Sequence, residues 1–342
     1  MTDYAVVLRG EIGDHFGLVF DGMRLERVDG TTVLTGPVRD QAQLHGLIER
    51  VQELGLELVS VNPVISPRKD HPMSKPDTIV LIHGFWVTPR SWEDWQAHYE
   101  AKGYKVIAPA YPGFEVEVES LNADTAPIEA VTVPQIIEKL EGIIGGLDSP
   151  PILMGHSAGG VFTQILLDHG YGAVGVAINS APTEGVKRIP LSQVRATFPV
   201  LKNPANRHKA VGFTFDQWNY AFTNGFPEEE ARRLYDRYHI PASGEIFWGS
   251  ALANIHPGKD DNWVNYKNED RAPLLFISGS NDHLMPPSIQ QSNAKHWNDK
   301  VVTEVKQFEG PHLLPSWPGW ESVADYALEW AESHAGQPST AA

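Results

Sequence analysis

Gly155-His156-Ser157-Ala158-Gly159 decides how this chain is read. The residues before it, Pro151-Ile152-Leu153-Met154, predict a short buried strand, and the run 160–167 after it predicts a helix. Strand, G-x-S-x-G, helix is the signature of a sharp turn that lifts a serine hydroxyl above the end of a sheet. The glycines let neighbouring backbone approach a turn in which the serine itself is strained. The helix start behind the serine aims backbone N–H groups at whatever reacts there.

Upstream, Thr78-Ile79-Val80-Leu81-Ile82 is an unbroken apolar and β-branched run. Such a run predicts a parallel strand buried on both faces. It stops at His83-Gly84-Phe85-Trp86. Acyl transfer needs two N–H donors aimed at the developing oxyanion. One is expected from Ala158, the residue after the serine, and the other from Phe85 in the loop after the early strand. His83 is expected to buttress that loop rather than to take part in chemistry.

Downstream, Ala272-Pro273-Leu274-Leu275-Phe276-Ile277-Ser278-Gly279 predicts another buried strand, ending in Ser280-Asn281-Asp282-His283. A carboxylate just past a strand's C-terminus stands where a triad acid is needed. The run 301–308 alternates weakly as a last strand and opens into Glu309-Gly310-Pro311-His312. The chain order Ser157, Asp282, His312 would set all three on loops at one sheet edge. Glu184, after the strand expected at 175–179, is the alternate acid, with the poorer strand-loop context. His283 lies too close to Asp282 in sequence to serve it easily as a partner.

From about residue 77 to 334 the chain resembles an α/β-hydrolase-fold protein. The matching features are His83-Gly84-Phe85-Trp86, Gly155-His156-Ser157-Ala158-Gly159, the 279–282 segment and Gly310-Pro311-His312. The stretch 83–95 also resembles the corresponding part of epoxide hydrolases. Those enzymes, like haloalkane dehalogenases, use an aspartate nucleophile, and serine at position 157 argues against both chemistries. The resemblance implies a mostly parallel sheet flanked by helices, with a helical lid. It implies a serine hydrolase of the esterase, lipase or lactonase kind, acting on a small or medium apolar ester or lactone with no cofactor. Other chemistries of the same fold, lyase or cofactor-free oxygenase, and a non-catalytic ligand receptor are the alternatives.

The remainder of the chain is bounded by composition. There is no cysteine, so disulfides, cysteine-ligated metals and thiol catalysis are excluded. No HExxH or other metal spacing and no Gly-rich phosphate loop is present, so no metal site is expected. No stretch is long and apolar enough to span a membrane. Met1-Thr2-Asp3-Tyr4 lacks the basic and apolar regions of a secretory signal, which fits a cytoplasmic address. With 43 acidic and 27 basic residues the net charge is −16, which disfavours nucleic acid and anionic membranes. No Lys/Arg cluster of the kind that binds either is read from the sequence.

Residues 65–77 are polar and proline-rich and predict a linker. Before it, 1–64 predicts a small α+β unit. A strand at 4–10 is followed by a hairpin around Asp29-Gly30, a helix at 40–54 and a strand at 58–61. The helix carries Leu44, Leu47, Ile48, Val51 and Leu54 on one face. The order β-(α)-β-β-α-β is ferredoxin-like. Its Leu34-Thr35-Gly36, Asp40-Gln41 and Leu44-His45-Gly46-Leu47 resemble small stand-alone domains of unknown role. The unit is expected to serve assembly, including homo-oligomers, or regulation, or merely to pack. Residues 78–335 are expected to form the hydrolase unit, with a lid at about 183–270 and a disordered tail at 336–342. The lid is rich in aromatics, and Trp86, Tyr111, His156 and Trp218 are expected to line the substrate pocket.

Overall fold

The computed structural model describes residues 2–10, 12–13, 20, 22–28, 30–38, 41–64, 75–252 and 261–336. The chain divides into two compact units, Met1–His71 and Pro72–Ala342. The greater part of the expected linker, 65–74, and the expected tail, 337–342, lie outside the described residues.

The first unit holds strands β1 (Thr2–Arg9), β2 (Arg24–Val28), β3 (Thr31–Val38) and β4 (Leu58–Val64), with helix α1 (Gln41–Glu53). The sheet is antiparallel, in the order β2-β3-β1-β4. That is the ferredoxin-like order expected from the sequence. The bracketed helix of that expectation belongs to the stretch containing 14–19, outside the described residues. Alternation puts Leu34 and Val38 of β3 on the covered face with Val6 and Leu8 of β1, where Leu47 and Val51 of α1 close the core.

The second unit carries a six-stranded sheet. Its strands are β5 (Thr78–Ile82), β6 (Lys105–Ile107), β7 (Ile152–His156), β8 (Val174–Ile178), β11 (Leu274–Gly279) and β12 (Thr303–Phe308). The order is β12-β11-β8-β7-β5-β6 and every pairing is parallel. Successive residues of a strand face opposite ways. Val80 and Ile82 of β5 therefore join Leu153, Leu274 and Phe276 in one core, while Ile79 and Leu81 join Met154, Leu275 and Ile277 in another. Both faces are covered, which is why these strands read as unbroken apolar runs.

Helices α2 (Glu93–Ala101), α3 (Val118–Ala123), α4 (Ala126–Glu129), α5 (Val133–Gly145) and α6 (Ala158–Asp168) separate the early strands. A reciprocal capping box of Thr132 and Gln135 starts α5. Between β8 and β11 run α7 (Leu191–Leu201), the short strand β9 (Ala210–Val211), α8 (Phe215–Ala221), α9 (Glu228–Tyr238), β10 (Ala242–Ser243) and α10 (Gly244–Leu252). The segment is mostly helical, and α9 opens with Glu228, Glu229 and Glu230 at the positive end of its dipole. Helices α11 (Pro287–His296) and α12 (Trp320–His334) complete the unit. Among the described residues no helix is long and apolar enough to cross a membrane. No group of three His, Asp or Glu side chains among them is placed to hold a metal ion.

Candidate active site

The chain leaves β5 on one side, to pair β6, and returns on the other as β7. Where strand order reverses in this way, a crevice opens beyond the carboxyl ends of the strands. The loop His83-Gly84-Phe85 follows β5, and Ser157 follows β7. Both stand at that crevice.

Ser157 has φ 57° and ψ −117°, a strained backbone for a residue with a side chain. Such strain costs roughly 1–3 kcal/mol and persists only where the surroundings enforce it. Here Ser157 N–H donates to Ile178 O at 3.0 Å, and Ser157 O accepts from Gly160 and Ala181 N–H. A Cβ on Gly155 would run into the carbonyl of Gly159, and one on Gly159 into the carbonyls of Ile82 and His83. The close packing of turn, helix and neighbouring strand thus requires glycine at both places.

The loop after β5 lies against the serine: a Cβ on Gly84 would sit 2.9 Å from Ser157 Cβ. Ala158 is the first residue of α6, where a helix leaves its N–H groups without internal partners. Among the described residues neither Phe85 N–H nor Ala158 N–H donates a hydrogen bond. One of these two donors lies at the start of α6, next to the serine, and the other in the loop after β5.

His312 Nδ1 and Asp282 Oδ2 are 2.8 Å apart, and both side chains are fully buried. The other carboxylate oxygen, Oδ1, accepts from Leu284 and Met285 N–H, each at 2.7 Å. Donated by Nδ1–H to Oδ2, this hydrogen bond leaves Nε2 as the ring nitrogen not engaged by the carboxylate. That Nε2 is buried and has no partner among the described residues. The backbone of His312 is fixed in turn. Its carbonyl accepts from His156 Nε2 at 2.8 Å and from Asn179 Nδ2 at 3.0 Å. Asn179 Oδ1 accepts from Gly279 N–H at 2.6 Å. The serine turn, the end of β8, the end of β11 and the histidine loop are thereby tied together. Glu184 is placed differently: its backbone bonds to Asn262 and Tyr266, while Asp282 is the carboxylate on His312.

A family comparison gives the same architecture: the alpha/beta hydrolase family matches residues 79–325. The chain belongs to the alpha/beta hydrolase family. Residues 3–62 match a domain of unknown function, DUF8691. No curated protein matches the chain significantly. Similar solved structures include an extracellular alpha/beta-hydrolase from a Paenibacillus species, with a TM-score of 0.56 at 18% identity, covering 77% of this chain and 100% of that one. A monoacylglycerol lipase of Paleococcus ferrophilus gives 0.51 at 18% identity, over 77% and 97%. A pyrethroid hydrolase from Sphingobium faniae gives 0.53 at 20% identity, over 76% and 99%.

The expected pocket residues of this alpha/beta hydrolase separate on inspection. Trp86, with φ 64°, packs on Phe213 and Phe247, and its Nε1–H donates to Val211 O. His156 is corrected from pocket wall to support, because its ring lies buried between Trp92 and His312 with Nε2 spent on the His312 carbonyl. Tyr111 is corrected likewise: it stacks on His83 and its hydroxyl donates to His83 O, holding the loop from behind. Trp218 stands one layer back, stacked on Phe222 at 4.0 Å, and it is Phe222 that meets the His312 ring edge to face at 4.8 Å. Sequence reading missed the parts of Phe222 and Asn179. The available signal for Asn179 was an asparagine at a strand end, where its φ of 45° is tolerated.

Two buried imidazoles carry a pH consequence. Burial pushes His83 down to about 3, and holds His156 well below its ordinary value, with His312 nearby adding to the effect. Both are neutral in the folded hydrolase. Unfolding returns His83 to its ordinary value of 6.5, so the unfolded chain binds the extra protons. A depressed folded value means that this stability is intact above pH 6.5 and is lost as pH falls toward 3. The unfolding free energy in urea is expected to drop between pH 6.5 and 4, and His83→Asn to flatten that slope. An unchanged slope in the variant would clear His83 of the effect.

Proposed function

We propose that this alpha/beta hydrolase cleaves small or medium apolar carboxylic esters or lactones through an acyl-enzyme on Ser157. One observation carries the reading: the buried Asp282–His312 pair, with its free Nε2, is tied by hydrogen bonds to the turn that presents Ser157. In the proposed reaction Ser157 Oγ attacks the carbonyl carbon and His312 Nε2 takes its proton. Asp282 keeps the imidazole in the productive tautomer and stabilises the imidazolium. Phe85 and Ala158 N–H groups hold the oxyanion, in a site whose donors need no reorganisation. The alcohol leaves with the proton from His312. Water, activated by the same nitrogen, then releases the acid and restores the serine.

His312 Nε2 has no hydrogen bond to Ser157 in the structure. Catalytic hydrogen bonds of this kind tighten on substrate binding. The segment between β8 and β11 is read as the lid, and its Phe213, Phe222 and Phe247, with Phe85 and Trp86, favour an apolar acyl or alcohol group. Solved neighbours are named as a monoacylglycerol lipase and a pyrethroid hydrolase, which supports hydrolysis and points to no single substrate.

The test is a panel of p-nitrophenyl esters of increasing acyl length beside cyanohydrins and quinolones. Ester turnover with a burst of p-nitrophenol is expected. Turnover confined to cyanohydrins or quinolones would transfer the site to lyase or oxygenase chemistry.

A further inference from the structure

The largest exposed apolar surface among the described residues lies on α7, not at the crevice. Ile189, Leu191, Val194 and Phe198 are 73%, 88%, 45% and 60% exposed. Positions 191, 194 and 198 share one helix face, and Ile189 continues it past the N-terminus. The opposite face is anchored: Ala196, Thr197 and Val200 are buried, and Gln193 reaches Met285 in the loop that carries Asp282. The outer face is therefore a fixed surface on a packed helix. The other exposed large apolar residues, Leu54, Val59, Val116 and Val305, stand in different elements.

The charge of the same stretch departs from that of the chain. Residues 185–215 hold Lys187, Arg188, Arg195, Lys202, Arg207 and Lys209, and no aspartate or glutamate, in a protein of net charge −16. All six cations are exposed. Lys187 and Arg188 stand before the N-terminus of α7, Arg195 on the helix and Lys202 just after it. Eleven helical residues span about 16 Å, so four of the cations flank the apolar stripe at close range. The cations are spread along 23 residues of chain, and only the helix gathers four of them around Leu191 and Phe198.

We propose that the outer face of α7 docks on an anionic lipid surface, with Ile189, Leu191 and Phe198 entering the acyl boundary and the flanking cations meeting headgroups. Apolar side chains on one side of a helix, ringed by Lys and Arg, are what such an interface retains. A nucleic acid would use the cations and leave the aliphatic stripe in water. A second copy pairing this face with itself would set the four flanking cations against four. Of these three, the anionic lipid surface satisfies both the charge and the apolar stripe. Docking there would bring lipid-dissolved esters up to the helix that covers the Asp282 loop, but the surface stands on its own whatever Ser157 does.

The experiment is sedimentation of the full chain with vesicles of phosphatidylcholine, alone or with about 30% phosphatidylserine. Binding is expected with phosphatidylserine, to be weak without it, and to fall as salt rises. Leu191→Ser with Phe198→Ser, and Lys187→Gln with Arg188→Gln, are each expected to lower partitioning about tenfold or more. These side chains are exposed, so the far-ultraviolet spectrum and Tm are expected to match the parent. No binding at low salt, or equal binding by both double variants, would overturn the proposal. Self-association that is lost in the same variants, without vesicle binding, would assign the face to a protein partner instead.

Discussion

Ser157→Ala is expected to abolish labelling by a fluorophosphonate and to lower ester turnover by about 10⁴-fold or more. The loss is large because every other part of the machinery acts through the bond that Ser157 forms. On the proposed mechanism His312 loses the hydroxyl it activates, and the Phe85 and Ala158 donors are left to stabilise only the much slower direct attack of water. Alanine removes only the hydroxyl. It has the same backbone conformational cost at φ 57° as serine, and the turn keeps its N–H bond to the Ile178 carbonyl and its carbonyl's bonds from Gly160 and Ala181 N–H. The fold should therefore persist, as judged by Tm. Normal turnover of any ester by purified Ser157→Ala protein would end the serine mechanism.

Asp282→Asn is expected to lower turnover by about 10³–10⁴-fold with the fold intact. The direction follows from the bonds of the carboxylate. Leu284 and Met285 N–H both donate to Oδ1 at 2.7 Å, so an amide placed there must keep its oxygen on that side. Its NH₂ then takes the place of Oδ2 and faces His312 Nδ1. A donor facing Nδ1 drives the ring proton to Nε2, the nitrogen that must be free to accept. The imidazole is then held in the wrong tautomer and the imidazolium loses its counter-charge. Glu184→Gln serves as the control. A greater loss from Glu184→Gln than from Asp282→Asn would move the acid to the end of β8.

The sheet was legible where burial on both faces writes a continuous apolar run. Thr78–Ile82 matches the expected span residue for residue, and the run expected at 272–279 forms a strand from Leu274 to Gly279, two residues shorter at its start. β6 was missed because Lys105–Ile107 is three residues long, half exposed and at an edge, with no apolar run to read. Ser157, Asp282 and His312, the residues proposed for the chemistry, were read as types on loops past strand ends, and they lie past the ends of β7, β11 and β12. What faces the crevice was not legible, since it depends on rotamers and on which aromatic lies in front of another. His156, Tyr111 and Trp218 are aromatic residues in suitable places, yet each spends its ring on support. Asn179 holds three segments at once, and such convergence leaves no local pattern.

The wide separation of the site's parts along the chain governs when it comes into being. The bond that fixes the serine turn needs only β8, made soon after it. The bond from His156 to the His312 carbonyl spans 156 residues, and Asp282 meets His312 only once the stretch past β12 is in place. During translation the elbow leaves the ribosome long before its base does. On the mechanism proposed above, a nascent chain that stops short of position 312 carries Ser157 without the base that would activate it. Capture of Ser157 by an active-site label would therefore register maturation of the entire β5–β12 sheet, and serve as a clock for the last step of folding.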